Sequence, residues 1–308
     1  MSGIEQIEQL VAEINRAGSI PREIWPADAQ LAPADLGLVE RKGALLWSMA
    51  PDPIDLSNIE RAFPDLHCRR FDLIDSTNTL LVAEGSRGSI ASRLYVAEFQ
   101  YGGRGRRGRT WLSPYGRNLA MSLGFGTQRE MAELGGLSVV VGLALADAVD
   151  ELGVSEVQLK WPNDLLVAGA KLSGILIELV QRPEALEVVV GIGVNVSLTA
   201  GELEAIGQPA ADLRRAGVSM SRTNLVIDLM TRVRTYLDLF EAEGFTPFVR
   251  AFNDLHTFHG QTCSVSQGSE VTTGKVVGIG DGGELLLKTD AGEQRFHGGE
   301  VSLRAHNT

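Results

Sequence analysis

The chain has 308 residues, 44% of them hydrophobic and 22% charged, with a formal net charge of −11. That length suits about two domains and the composition is that of an ordinary folded enzyme, while the acidic balance excludes a general nucleic-acid binder, whose affinity comes from neutralising phosphates. No stretch approaches the ~18 continuous apolar residues of a membrane span, and the N-terminus lacks the basic-then-apolar pattern of a secretion signal. Cys68 and Cys263 form no CxxC pair and are expected to be reduced thiols of a cytoplasmic protein.

Residues 4–17 place Ile4, Ile7, Leu10, Val11 and Ile14 on one helical face and stop at Gly18. A proline-broken stretch follows, interrupted by a hairpin pattern at residues 36–49, and a domain boundary is expected near Pro53–Pro64. RFDLIDSTN and LYVAEFQ read as strands with a helix over residues 77–84 between them. NLAMSLGF reads as a strand, and residues 137–152 as a buried helix. VQLKWPNDLLV, KLSGILIEL and LEVVVGIGVNV read as three further strands, rich in β-branched residues. An amphipathic helix is expected over residues 224–243, ending at Gly244. Beyond His259, short strands at Gly-rich turns predict a small appended β-barrel.

The chemistry concentrates first at AEFQYGGRGRRGRTW. Arg104, Arg106, Arg107, Arg109 and Arg117 follow one another with no acid among them, a positive island that suits a small anion. Gly103, Gly105 and Gly108 formally match a dinucleotide fingerprint, but that turn must open a helix, and here Pro114, Gly116 and a strand pattern follow. No Walker A sequence occurs, so a nucleotide would be held without a P-loop. What remains is a loop whose glycines allow close backbone approach and whose arginines offer forked donors to phosphate or carboxylate. Trp111, just beyond it, could cover an adenine face or simply fill the core.

A second cluster joins Lys160-Trp161-Pro162-Asn163-Asp164, at the end of one strand, to Lys171-Leu172-Ser173-Gly174, at the start of the next. Singly, each piece has an ordinary explanation: Asn163-Asp164 as a turn, and Asp75-Ser76-Thr77-Asn78 as a helix N-cap. Together, GRGRRGRTW, KWPNDL, KLSGILIE and GIGVNV, in this order and with DSTN and GGEVSLR beside them, closely resemble the biotin–protein ligases, over roughly residues 66 to 308.

That resemblance implies an α/β mixed-sheet catalytic domain related to class II aminoacyl-tRNA synthetases, a C-terminal SH3-like β-barrel and a short N-terminal remnant of a winged helix. The segments would be residues 1–62, 63–257 and 258–308. It implies formation of biotinyl-5′-AMP from biotin and ATP with Mg²⁺, then transfer to a lysine of a biotin carboxyl carrier protein. By family position, Ser76, Thr77, Asn78 and Gln100 would line the biotin site, and Gly103, Arg104, Gly105 and Arg106 would close over it. Lys171 would contact both biotin and the reacting phosphate, and Gly174 would sit against biotin. Arg109, Trp111, Asn163 and Asn195 fall on the adenylate side, Arg304 would reach the nucleotide from the barrel, and Asp164 is a candidate for Mg²⁺ or for handling the acceptor lysine. Lys171, Arg104 and Arg106 are the catalytic candidates. Tyr101-Gly102 stands where the enterobacterial pattern has Gln-Ala.

Family members often form homodimers by pairing sheet edges, and many repress their own operon through the N-terminal domain. Here residues 19–33 are too proline-broken for a recognition helix, and residues 1–62 hold ten acids against five basic residues, which argues against DNA binding. A lipoate or octanoate ligase is the nearest enzyme alternative. A metal site at His256, His259 and Cys263 lacks an evident fourth ligand.

Overall fold

The computed structural model describes residues 3–298 and 301–305. The N-terminal segment holds α1 (Gly3–Ala17) and a small antiparallel sheet of β1 (Ile20–Pro21), β2 (Leu38–Arg41) and β3 (Ala44–Trp47), ordered β1-β3-β2. The helix and the hairpin are the predicted ones. Ile7, Val11 and Ile14 of α1 are buried with Leu36, Leu38 and Leu45, and the cluster continues into Leu73, Phe99 and Tyr115 of the main body. Trp47 stacks on Tyr115 at 4.6 Å and donates through Nε1 to Asn15, whose amide donates in turn to the Tyr115 hydroxyl.

The main body follows: α2 (Leu56–Ala62), β4 (His67–Ile74), α3 (Thr77–Gly85), β5 (Arg93–Gln100), β6 (Asn118–Thr127), α4 (Leu137–Glu151), β7 (Val157–Lys160), β8 (Asp164–Val167), β9 (Ala170–Arg182), β10 (Ala185–Asn195), α5 (Ala200–Ala205), α6 (Arg222–Glu243) and α7 (Val249–Leu255). Seven strands form one mixed sheet, ordered β4-β5-β6-β10-β9-β8-β7, in which only β4 and β5 run parallel. Along β10, Val188, Val190, Ile192 and Val194 join the large core that contains α4 and α6, whereas Val189 joins Leu81 of α3 and Tyr95. Both faces are covered there, so β10 reads as a continuous apolar run instead of an alternating one.

One expected strand divides. VQLKWPNDLLV is a hairpin, with Lys160 opposite Asp164 and Trp161-Pro162-Asn163 as its turn. Proline has no N–H for a ladder and breaks the run at its middle. Residues Met131–Glu151 are long and apolar enough to cross a membrane, but this stretch is mostly buried within the core.

Strands β11 (Thr262–Gln267), β12 (Glu270–Ile279), β13 (Leu285–Thr289), β14 (Gly292–Phe296) and β15 (Val301–Ala305) form an antiparallel sheet ordered β14-β13-β12-β11-β15. Its apolar face, with Val265, Val276, Leu285 and Leu303, belongs to the same hydrophobic cluster as α4 and α6. Trp161 fastens the two sheets by donating through Nε1 to the carbonyl of Gly283 at 3.0 Å.

His256, at the end of α7, lies 5% exposed against Phe252, and neither ring nitrogen has a hydrogen-bond partner among the described residues. Burial, with a smaller contribution from His259, pushes its imidazole down to about 4. The neutral ring is the folded form, so unfolding takes up a proton below the free value of ~6.5. Stability is therefore full above pH 6.5 and falls as the pH drops towards 4. The unfolding free energy should decrease by about 2 kcal/mol between pH 7 and pH 5 on this account. Urea titrations of His256→Leu should show most of that decrease removed; an unchanged slope with pH would assign it elsewhere. Among the described residues, no group of three or more His, Cys, Asp or Glu could hold a metal ion, and His256 does not gather with His259 and Cys263 into such a site.

Candidate active site

A cleft of about 950 Å³ opens at the carboxyl end of β5 and runs across β9 and β10 under the glycine–arginine loop, a volume typical of small-molecule sites. Its floor is made by missing side chains. Beyond Val189, the same face of β10 continues with Gly191 and Gly193. A Cβ on Gly191 would lie 2.2 Å from Oδ1 of Asn78, and one on Gly193 would lie 2.4 Å from the Trp111 ring. Gly193 pairs in register with Gly174 of β9, which also touches that ring. The indole is thus seated on a glycine pair, and Asn78 on a third glycine.

At the first end, α3 begins with Ser76 as N-cap, its hydroxyl accepting from Thr79 N. Thr77 donates through backbone and hydroxyl to Oε1 of Gln100, at 2.8 and 3.1 Å. The Thr77 hydroxyl meets Ser122 Oγ at 2.7 Å, and Ser122 donates to Asn78 Oδ1 at 2.5 Å. Asn78 donates to Glu178 Oε2 at 3.0 Å, and Glu178 pairs with Arg104 at 3.1 Å. This chain of bonds connects the DSTN helix start to the loop that covers it. It gives Ser76–Asn78 an N-cap role and a pocket-lining role together.

The loop is a short hairpin. Gly105 N donates to Arg109 O, Trp111 N donates to Gly103 O, and Arg104 bridges Thr110. Its tip turns at Arg107 and Gly108 with φ of 59° and 69°, left-handed values that Gly108 adopts without a steric penalty. Arg106 leaves the tip to donate to Asn163 Oδ1 at 2.9 Å and to the carbonyl of Gly298, joining the lid to both sheets. Burial lowers its guanidinium from the ordinary value. Asn163 donates in turn to the Ile175 carbonyl at 2.8 Å.

At the centre, Lys171 Nζ lies 2.7 Å from Asp164 Oδ1 and 5.7 Å from the Trp111 ring centroid. Asn195 is buried, donating to the carbonyls of Lys171 and Ala211. Of the residues assigned to the site by resemblance, all whose side chains are described line the cleft except Gly103. Gly103 lies behind it, holding Trp111 through its carbonyl. The backbone of Arg304 occupies β15 opposite Ser264, its side chain lies outside the described residues, and its neighbour Leu303 reaches the cleft.

The positive island is smaller than the sequence suggests. Arg117 is 2% exposed and points away to Glu202 and Ser48, because it stands past the loop, immediately before β6. Sequence reading also misses Gly191, Gly193 and the segment 205–210 of the cleft lining, and Ser122 and Glu178, which hold Thr77, Asn78 and Arg104 from behind it. The glycines leave a signal: two alternate positions without side chains in an otherwise β-branched strand.

A cleft floored by glycines, with the Lys171 ammonium and the arginines of the loop along its lining, suits a protein that binds small anionic groups. Residues 70–195 match the model of the biotin/lipoate A/B protein ligase family, and residues 258–304 that of the biotin protein ligase C-terminal domain. The chain is 36% identical over 262 residues to the bifunctional ligase/repressor BirA of Salmonella typhimurium, covering 83% of this chain and 81% of that one. It is 34% identical to the biotin–[acetyl-CoA-carboxylase] ligase of Paracoccus denitrificans, over 74% of this chain and 96% of the relative. The structure of the Aquifex aeolicus biotin protein ligase in complex with biotin and ATP superposes with a TM-score of 0.67 at 28% identity, over 78% of this chain and 99% of the other. The chain belongs to the biotin protein ligase family.

Proposed function

We propose that this enzyme joins biotin to ATP and passes the biotinyl group to a lysine of a biotin carboxyl carrier protein, that of acetyl-CoA carboxylase. In the first step a biotin carboxylate oxygen bonds to the α-phosphorus and pyrophosphate leaves. In the second, the neutral amine of the acceptor lysine attacks the acyl carbon, AMP leaves and the amine's proton is released. What supports this reading is that one cleft is lined by Ser76, Thr77, Asn78 and Gln100, read as the biotin end, and by Arg109, Trp111, Asn163 and Asn195, read as the adenylate end, with Lys171 lining the same cleft beside Trp111 and Asp164.

Two anions meet in the first step, and fixed positive charge offsets their repulsion and the charge developing on the phosphoryl oxygens. Lys171 is held for that by Asp164, and Arg104 and Arg106 supply donors from the lid. Closing the lid keeps water from the mixed anhydride. Of the described cleft-lining residues only Asp164 is a carboxylate, and it is already paired with Lys171. These residues do not make a protein cage for Mg²⁺; the ion would arrive on the ATP phosphates. Arg304 is read as reaching the nucleotide from the C-terminal sheet.

We read the mixed sheet as related to class II aminoacyl-tRNA synthetases and the five short antiparallel strands as an SH3-like barrel. The enzyme is read as cytoplasmic. Residues 1–62 are read as a degenerate winged helix that does not recognise DNA: between α1 and β2 stand only short 3₁₀ turns and β1, and the segment's charge is about −5. The test of the whole reading is incubation with ATP, Mg²⁺, labelled biotin and a carboxyl-carrier domain, with lipoate as competitor. ATP-dependent label on the carrier supports it. Labelling by lipoate in preference to biotin would replace it with the lipoate ligase reading.

A further inference from the structure

We propose that Arg117 is a positioning residue for the nucleotide end of the cleft, acting through Glu202 on α5. This rests on the assignment of that end to ATP. Segment 205–210 forms a wall of the cleft, yet between Leu198 and Asp212 no residue is buried. The wall therefore has no core of its own and depends on what holds its two ends. Its far end is fixed beside the reacting centre: Lys171 N donates to Pro209 O, Ala211 N to Lys171 O, and Asn195 Nδ2 to Ala211 O.

Arg117 holds the near end. Its carbonyl accepts from Val196 N and Ser197 N, at 3.2 and 2.9 Å, and its Nη2 donates to Glu202 Oε1 at 2.6 Å. The other oxygen of Glu202 accepts from Thr199 N, so one carboxylate both caps α5 and ties the helix to Arg117. The guanidinium is itself clamped from the N-terminal segment. A Cβ on Gly37 would fall 2.0 Å from Nη2, and Nη1 donates to Ser48 Oγ at 3.4 Å. A buried cation with one carboxylate partner holds its geometry firmly, because separating the pair leaves a charge uncompensated. The N-terminal segment thus bears on ligation by bracing Arg117, independently of any DNA.

The experiment measures KM for ATP and for biotin separately, by pyrophosphate exchange on the full chain, in Glu202→Gln, Arg117→Lys and, as comparator, Trp111→Ala. Glu202→Gln keeps an acceptor oxygen for the guanidinium while removing the charge, and a thermal melt on each variant separates loss of fold from loss of positioning. The proposal expects KM for ATP to rise about tenfold in Glu202→Gln, with KM for biotin unchanged and Arg117→Lys closer to the parent. If Trp111→Ala raises KM for ATP while Glu202→Gln leaves it unchanged, or raises both KM values together, the positioning role is overturned and the site assignment stands. If Trp111→Ala leaves KM for ATP unchanged, the nucleotide end itself is wrongly assigned, and the proposal falls with it.

Discussion

Lys171→Ala should lower kcat for biotin-dependent pyrophosphate exchange by about 10²–10³-fold, the loss seen when one preorganised donor to a developing charge is removed. The ammonium lines the cleft and is already paired with Asp164 at 2.7 Å, so little reorganisation is needed when charge moves onto the phosphoryl oxygens. An interaction made mainly in the transition state lowers kcat more than it raises KM, and that split is the diagnostic. Lys171→Arg should not restore the rate, since a planar fork replaces a point donor in a seat formed by Trp111, Gly174 and Asp164. The substitution also leaves Asp164 unpaired, so thermal stability must be followed alongside. Near-normal exchange in a folded Lys171→Ala enzyme would remove this residue from the first step.

The second large effect concerns two glycines that carry no chemistry. Gly193→Ala should impair ATP use, and Gly191→Ala should impair biotin use, although they lie two residues apart on one strand. The new methyl at 193 would meet the indole of Trp111 at 2.4 Å, and the one at 191 would meet the Asn78 amide at 2.2 Å. Each forces its neighbour up into the cleft, at a packing cost of about 1–3 kcal/mol. KM for ATP is expected to rise at least about tenfold in the first variant, and KM for biotin similarly in the second. Measuring both constants in both variants decides the matter. Equal effects on the two substrates from either glycine would mean that the cleft is not divided as described.

Much of this was legible in residue order. The helix at α1, the hairpin β2–β3, the alternation of strands and helices and the existence of β9 and β10 as strands follow from local periodicity and from glycine and proline, which act through their own backbone. The KWPND run was the exception: its β-branched and apolar flanks suggested one strand, while Pro162 turned it into a hairpin. The two carboxamides assigned to the adenylate side illustrate another limit. Asn163 and Asn195 do line the cleft, but their amide groups already hold Ile175, Lys171 and Ala211 in place.

The sequence by itself determined the kinds of element, the chemistry available in the glycine–arginine loop and the family to which the chain belongs, because those depend on residue types at short spacings. The tertiary structure alone decided which of several like residues does what. Arg106 and Arg117 look equivalent in the sequence, yet one bridges lid to cleft and the other is buried beneath Gly37 against Glu202. Trp111 lies on the cleft floor, while Trp161 is buried between two sheets. Their surroundings come from strands and helices tens of residues distant, and no local pattern encodes which partner a fold will bring across that separation.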